Sequence, residues 1–218
     1  MAIQSIERSS ELTTNKVLRD TYRLLSMTLL FSALMAGVSM AIDPPRFTGL
    51  VCSLGAMALL WFVLPKMANS AKGLYVVFAV TGLLGFGLGP LLNHYLGMAG
   101  GGSTVATALG GTGIIFFALS AYALTTKKDF SFLGGFLFAG IMVVFLAIIA
   151  SLFINMPALS IVISGAVILL MSGFILFDTS SIVNGGETNY IHATVSLYLS
   201  IYNIFQSLLM LLGIFGDD

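Results

Sequence analysis

The sequence is short of charge, histidine and cysteine. Charged residues make up 8% of the 218 positions, nine basic and nine acidic, for a formal net charge of zero. A water-soluble domain carries roughly 25% charged residues, so most of this chain's surface does not face water. The balance offers no basic stripe for nucleic acid. Two histidines, His94 and His192, and a single cysteine, Cys52, leave too few ligands for a zinc site and no internal disulfide. There is no H-E-x-x-H and no G-x-S-x-G elbow. Ser164 precedes Gly165, but Val162 stands where an intramembrane serine protease would need glycine. An intramembrane aspartyl protease needs two carboxylates in the bilayer, and the spans offer Asp178 alone. The last apolar segment has no lysine for a retinal Schiff base. An enzyme is not expected.

What the chain has is apolar length. Hydrophobic residues make up 58% of it. Seven runs come near the roughly 20 residues that a helix needs to cross a hydrocarbon core: 22–42, 47–64, 73–96, 104–125, 130–154, 158–178 and 190–215. The runs are continuous rather than alternating, so they read as helices and not barrel strands. The first is too long for the core of a cleaved signal peptide. The expected fold is an all-α membrane protein, a seven-transmembrane-helix bundle over 21–218, preceded by a flexible polar tail over 1–20.

Lysine and arginine are distributed unequally. Arg8, Lys16, Arg19 and Arg23 lie before or at the start of the first span, Lys66 and Lys72 in the second loop, and Lys127 and Lys128 in the fourth. The loops at the opposite end carry only Arg46. Basic loops stay in the cytoplasm, which places the amino terminus inside and, with seven spans, the carboxyl terminus outside.

Small residues let helices approach closely in lipid. Gly85 and Gly89 form a G-x-x-x-G pair on the third span with Gly82 on the same side, a packing face. Pro90 follows and frees one backbone carbonyl. It marks either a kink near the helix end or a broken helix lining a cavity.

Two features could carry chemistry. Asp178 ends the long apolar run of the sixth span. A carboxylate at mid-membrane costs about 2.5–3.5 kcal/mol on insertion scales and is usually functional; alternatively the span simply ends there. On the seventh span His192, Ser196, Ser200, Asn203 and Ser207 recur at helical spacing along one stripe. Such a stripe is either interhelical hydrogen bonding or a polar path, and it marks the seventh helix as central. The candidate ion or proton site is therefore Asp178 with Ser196, Ser200 and Asn203. Glu187 and His192 are possible pH-coupled neighbours. No dedicated metal site is expected; the lone carboxylate of Asp178 with neutral helpers would bind Ca2+ weakly.

The chain also resembles a known family along nearly its whole length. The resemblance rests on Gly82-Leu83-Leu84-Gly85 through Gly89-Pro90-Leu91-Leu92, Ala108-Leu109-Gly110-Gly111-Thr112, Ser120-Ala121-Tyr122 with Thr126-Lys127-Lys128-Asp129-Phe130, Phe177-Asp178-Thr179, and Gly185-Gly186-Glu187-Thr188-Asn189-Tyr190 running into Ser200-Ile201-Tyr202-Asn203. These are similar to the Bax-inhibitor-motif transmembrane family. The resemblance implies a seven-helix bundle with the last helix central. Some members are pH-sensitive calcium leaks that pair an aspartate on the sixth helix with one on the seventh. Asp178 matches the first, and Ser200 stands where the second would be. The basic latch that some members carry on the second helix is missing, since 47–64 holds no charge except Arg46 just before it. For proteobacterial members the resemblance implies residence in the inner membrane and a different partner, the membrane-anchored ATP-dependent protease FtsH, which they restrain and which degrades them. The polar tail would be the handle for that protease.

Overall fold

The computed structural model describes the backbone of residues 2–151, 153 and 156–216, and the side chains of 13–151, 153, 156 and 158–216. Among the described residues seven helices run in chain order: α1 (Ala2–Ile42), α2 (Thr48–Met67), α3 (Lys72–Leu96), α4 (Gly101–Thr126), α5 (Leu133–Ser151), α6 (Pro157–Val183) and α7 (Tyr190–Phe215). No strand occurs among the described residues. All seven contain stretches long and apolar enough to cross a membrane. The turn expected at Asn155 and the terminal Asp217 and Asp218 lie outside the described residues.

Three boundaries differ from the sequence expectation. The backbone is helical from Ala2, and the apolar stretch of α1 starts at Thr13 rather than Tyr22. Where a flexible tail was expected, the helix runs on, because each further residue adds a bond to a helix that the span has already nucleated. In α2 the turn Leu59–Val63 is a π-helix just before Pro65. Pro65 lacks an N–H for the carbonyl of Trp61 and its ring crowds that carbonyl, so the turn widens. Third, α6 continues to Val183, so Asp178 does not end it. Five further residues correspond to roughly 7.5 Å of helix beyond the aspartate. Pro90 lies within a continuous α3, so the broken-helix alternative gives way to an intact helix.

The interior is organised around two helices. Half of the apolar window of α7 is buried, and its neighbours are α1, α3, α4 and α6. The window of α3 is buried still further, 61%, mainly between α1 and α2. The expectation of a central seventh helix holds, with α3 sharing the position. The glycine face explains why α3 sinks so deep. A Cβ on Gly85 would run into the carbonyl and hydroxyl of Ser32, and one on Gly89 into the side chain of Ser39. Gly82 faces the ring of Phe31 at 2.8 Å from the position of a Cβ. These contacts exist only because the glycines present no side chain.

Tyr198, 1% exposed, locks α7 to that pair. Its hydroxyl lies 2.6 Å from that of Ser32 on α1 and donates to the carbonyl of Thr81 on α3 at 3.3 Å. By contrast α5 is peripheral. It touches α6 alone and turns Phe136, Phe138, Val143, Phe145 and Leu146 outward, as a lipid-facing helix does.

Candidate functional site

The site lies where α6 and α7 meet, at the end of the bundle that carries the lysine-bearing loops. Gly185 adopts a φ of +76°, which L-residues resist. It turns the chain so that the N–H groups of Gly186 and Glu187 donate back to the carbonyl of Ser181 at 2.8 and 3.1 Å. The Glu187 carboxylate then accepts from the N–H of Asn189 at 2.6 Å. Asn189 is the N-cap of α7, accepting from the N–H of Ile191 at 2.9 Å. Its amide also donates to the carbonyl of Ala68 at 3.0 Å and to Asn69 at 2.9 Å. The α6–α7 loop is thus tied to the α2–α3 loop.

This turn encloses a cavity of about 350 Å3 lined by Asp178, Ser181, Glu187, His192 and Ser196, with Phe177, Val195 and Leu199 as apolar wall. At its inner edge the Ser196 hydroxyl donates to the Asp178 carboxylate at 2.5 Å. Asp178 is partly buried, so it is neither a solvent-exposed helix end nor a sealed core carboxylate. It faces a pocket that opens toward the lysine-bearing loops.

Four of the residues singled out from the sequence therefore come together: Asp178, Ser196, Glu187 and His192. Two do not. Ser200 is 2% exposed and does not line the cavity. Asn203 donates to the carbonyl of Leu199 in its own helix at 2.8 Å. The stripe on α7 is divided because Asp178 stands level with Ser196, and the next turn is already packed against neighbouring helices. Ser200 and Asn203 thus stand apart from this cavity. Gly82, Gly85, Gly89 and Pro90 lie away from it, the glycines in helix packing as expected.

The sequence reading missed Ser181 and Asn189. Asn189 directly before an apolar helix start is an N-cap signal, so its cap was discoverable. Its second bond, to the α2–α3 loop 120 residues away, was not. Ser180 was also missed. It accepts from the N–H of Phe130 and donates to the carbonyl of Lys128, both at 2.9 Å, pinning the α4–α5 loop two residues beyond Asp178.

Chemically, one carboxylate with a hydroxyl donor, an imidazole and a second carboxylate in one small cavity can exchange protons or hold a cation loosely. Among the described residues, no group of three or more His, Cys, Asp or Glu side chains is gathered to hold a metal ion.

Comparison with known proteins places the chain in context. The family model described as inhibitor of apoptosis-promoting Bax1 matches residues 14–217. A protein of Escherichia coli strain K12 named modulator of FtsH protease YccA is 54% identical over 214 residues, covering 98% of this chain and 97% of that protein. Its counterpart in a second Escherichia coli strain, O6:H1, named inner membrane protein YccA, matches to the same extent. A Vibrio cholerae membrane protein is 51% identical over 98% of this chain and 95% of its own length.

Proposed function

The chain belongs to the inhibitor of apoptosis-promoting Bax1 family, and from that premise we propose that it is a non-enzymatic inner-membrane modulator, and itself a substrate, of an FtsH-type membrane protease. The observation that carries this is the 54% identity, end to end, to the protein named for that modulation. Eight lysines and arginines at one end of the bundle against Arg46 at the other support an amino terminus in the cytoplasm and a carboxyl terminus in the periplasm. The first 20 residues then sit on the side where an ATP-dependent protease works. We assign the handle to them because they are the polar segment that leads into the first span.

The test is a lifetime measurement. Removing residues 2–12, which precede the apolar stretch of α1, is expected to lengthen the half-life severalfold in cells that contain the protease and to leave it unchanged in cells that lack it. Equal half-lives of the full and truncated chains in both strains would remove the handle.

A second reading has its own observation, the bond between Ser196 and Asp178 at the head of a polar cavity. It is a slow, pH-sensitive cation leak, with weak Ca2+ binding at Asp178. Liposomes carrying the protein should pass Ca2+ faster than empty ones, and Asp178→Asn should flatten the pH dependence. Flux equal to that of empty liposomes across the pH range would end this reading.

A further inference from the structure

The lysine-bearing end has a second recess, remote in character from the Asp178 cavity. It encloses about 590 Å3 between α1, the start of α3 and the start of α7. Lys16 and Arg23 stand on its wall two helical turns apart, roughly 10 Å along α1. Asp20 lies between them on the same wall, and one of its carboxylate oxygens meets Arg19 at 3.2 Å, so the lining carries two cations against one carboxylate. That is the one ion pair among the described residues. Thr188 and Tyr190 line the recess with the charged residues, and Val17, Leu24, Met27 and Leu74 supply apolar surface, Leu24 and Met27 following Arg23 on α1. Those last residues lie within the apolar spans.

A lining of net positive charge beside apolar side chains of two membrane-spanning helices fits one kind of ligand. It must carry a negative headgroup and, directly below it, hydrocarbon. We propose that this recess binds an anionic phospholipid from the surrounding leaflet, its phosphate between Lys16 and Arg23 and one acyl chain along Met27 and Leu74. A free phosphate or nucleotide would use the cations and leave the apolar floor uncovered. The lipid would also fix the root of α1, the segment from which the handle extends. The binding itself does not depend on the protease reading and is tested apart from it.

The experiment uses the full chain in detergent, and native mass spectrometry counts the lipid it retains from mixed phosphatidylglycerol and phosphatidylcholine micelles. Wild-type protein is expected to retain phosphatidylglycerol in preference to phosphatidylcholine. Lys16→Gln with Arg23→Gln should cut that preference roughly thirtyfold. Arg46→Gln, at the other end, and the charge-keeping Lys16→Arg with Arg23→Lys should preserve it. Equal retention of the two lipids by wild type, or a preference that survives the double glutamine variant, overturns the proposal. So does an equal loss from Arg46→Gln, which would reduce the effect to unspecific charge. Inorganic phosphate raising the melting temperature as much as phosphatidylglycerol would assign the recess to a small anion instead.

Discussion

Valine at Gly85 or Gly89 is expected to lower stability by about 1–3 kcal/mol each, the range for forcing extra atoms into a packed interior. At both positions the obstacle for a Cβ includes backbone atoms of α1, at Ser32 and Ser39, so no side-chain rotation relieves it. The helices must separate, and α1 packs extensively on α3. The two sites are one turn apart, so the double variant should depart from additivity. The control is a glycine whose Cβ would meet nothing. Gly110 and Gly135 have open space within 4 Å, and alanine there should be neutral or stabilise by about 0.5–1 kcal/mol through helix propensity. Thermal melts of the four variants in one detergent check this. Equal losses at Gly85, Gly89, Gly110 and Gly135 would mean that the close contact of α1 and α3 is not what the glycines serve.

Tyr198→Ala is expected to cost more than either glycine change, about 3–5 kcal/mol, the range for deleting a large buried aromatic side chain. The ring fills the space where α1, α3 and α7 meet, and it lies against Tyr202 with centroids 6.1 Å apart. Tyr198→Phe keeps the ring and removes only the hydroxyl bonds to Ser32 and Thr81. Interhelical hydrogen bonds in membrane proteins average about 0.6 kcal/mol, so the phenylalanine variant should retain most of the stability. Melting and denaturant titration of both variants separate packing from hydrogen bonding. A phenylalanine variant as unstable as the alanine one would place the stabilisation in the polar bonds.

Both expectations concern contacts that the sequence indicated only in half. The glycine stripe announced a close approach by α3 without saying that Ser32 and Ser39 would be met. Small residues mark a surface for packing, but many helices satisfy such a surface equally well. The spans themselves were legible because hydrophobic length is a one-dimensional property. Their ends were less so. The polar residues at the start of α1 looked like a tail, since composition does not register a helix that continues past its apolar part. Asp178 posed a similar problem, because an apolar run stops at a charge whether or not the helix does. The α7 stripe was read as a single face, which it is. That Asp178 meets only its first half depends on how far α6 slides along α7, a register set by Gly185 and the anchored loop. No spacing within one helix contains that information.

The relation to the protease is most directly tested with purified components. An FtsH-type protease, this chain and a second membrane-embedded substrate are placed in the same proteoliposomes, and the turnover of the second substrate is followed. Intact chain is expected to slow that turnover in proportion to its amount, and the chain lacking residues 2–12 to slow it much less. Turnover of the second substrate at the same rate with and without the intact chain would contradict the proposed role.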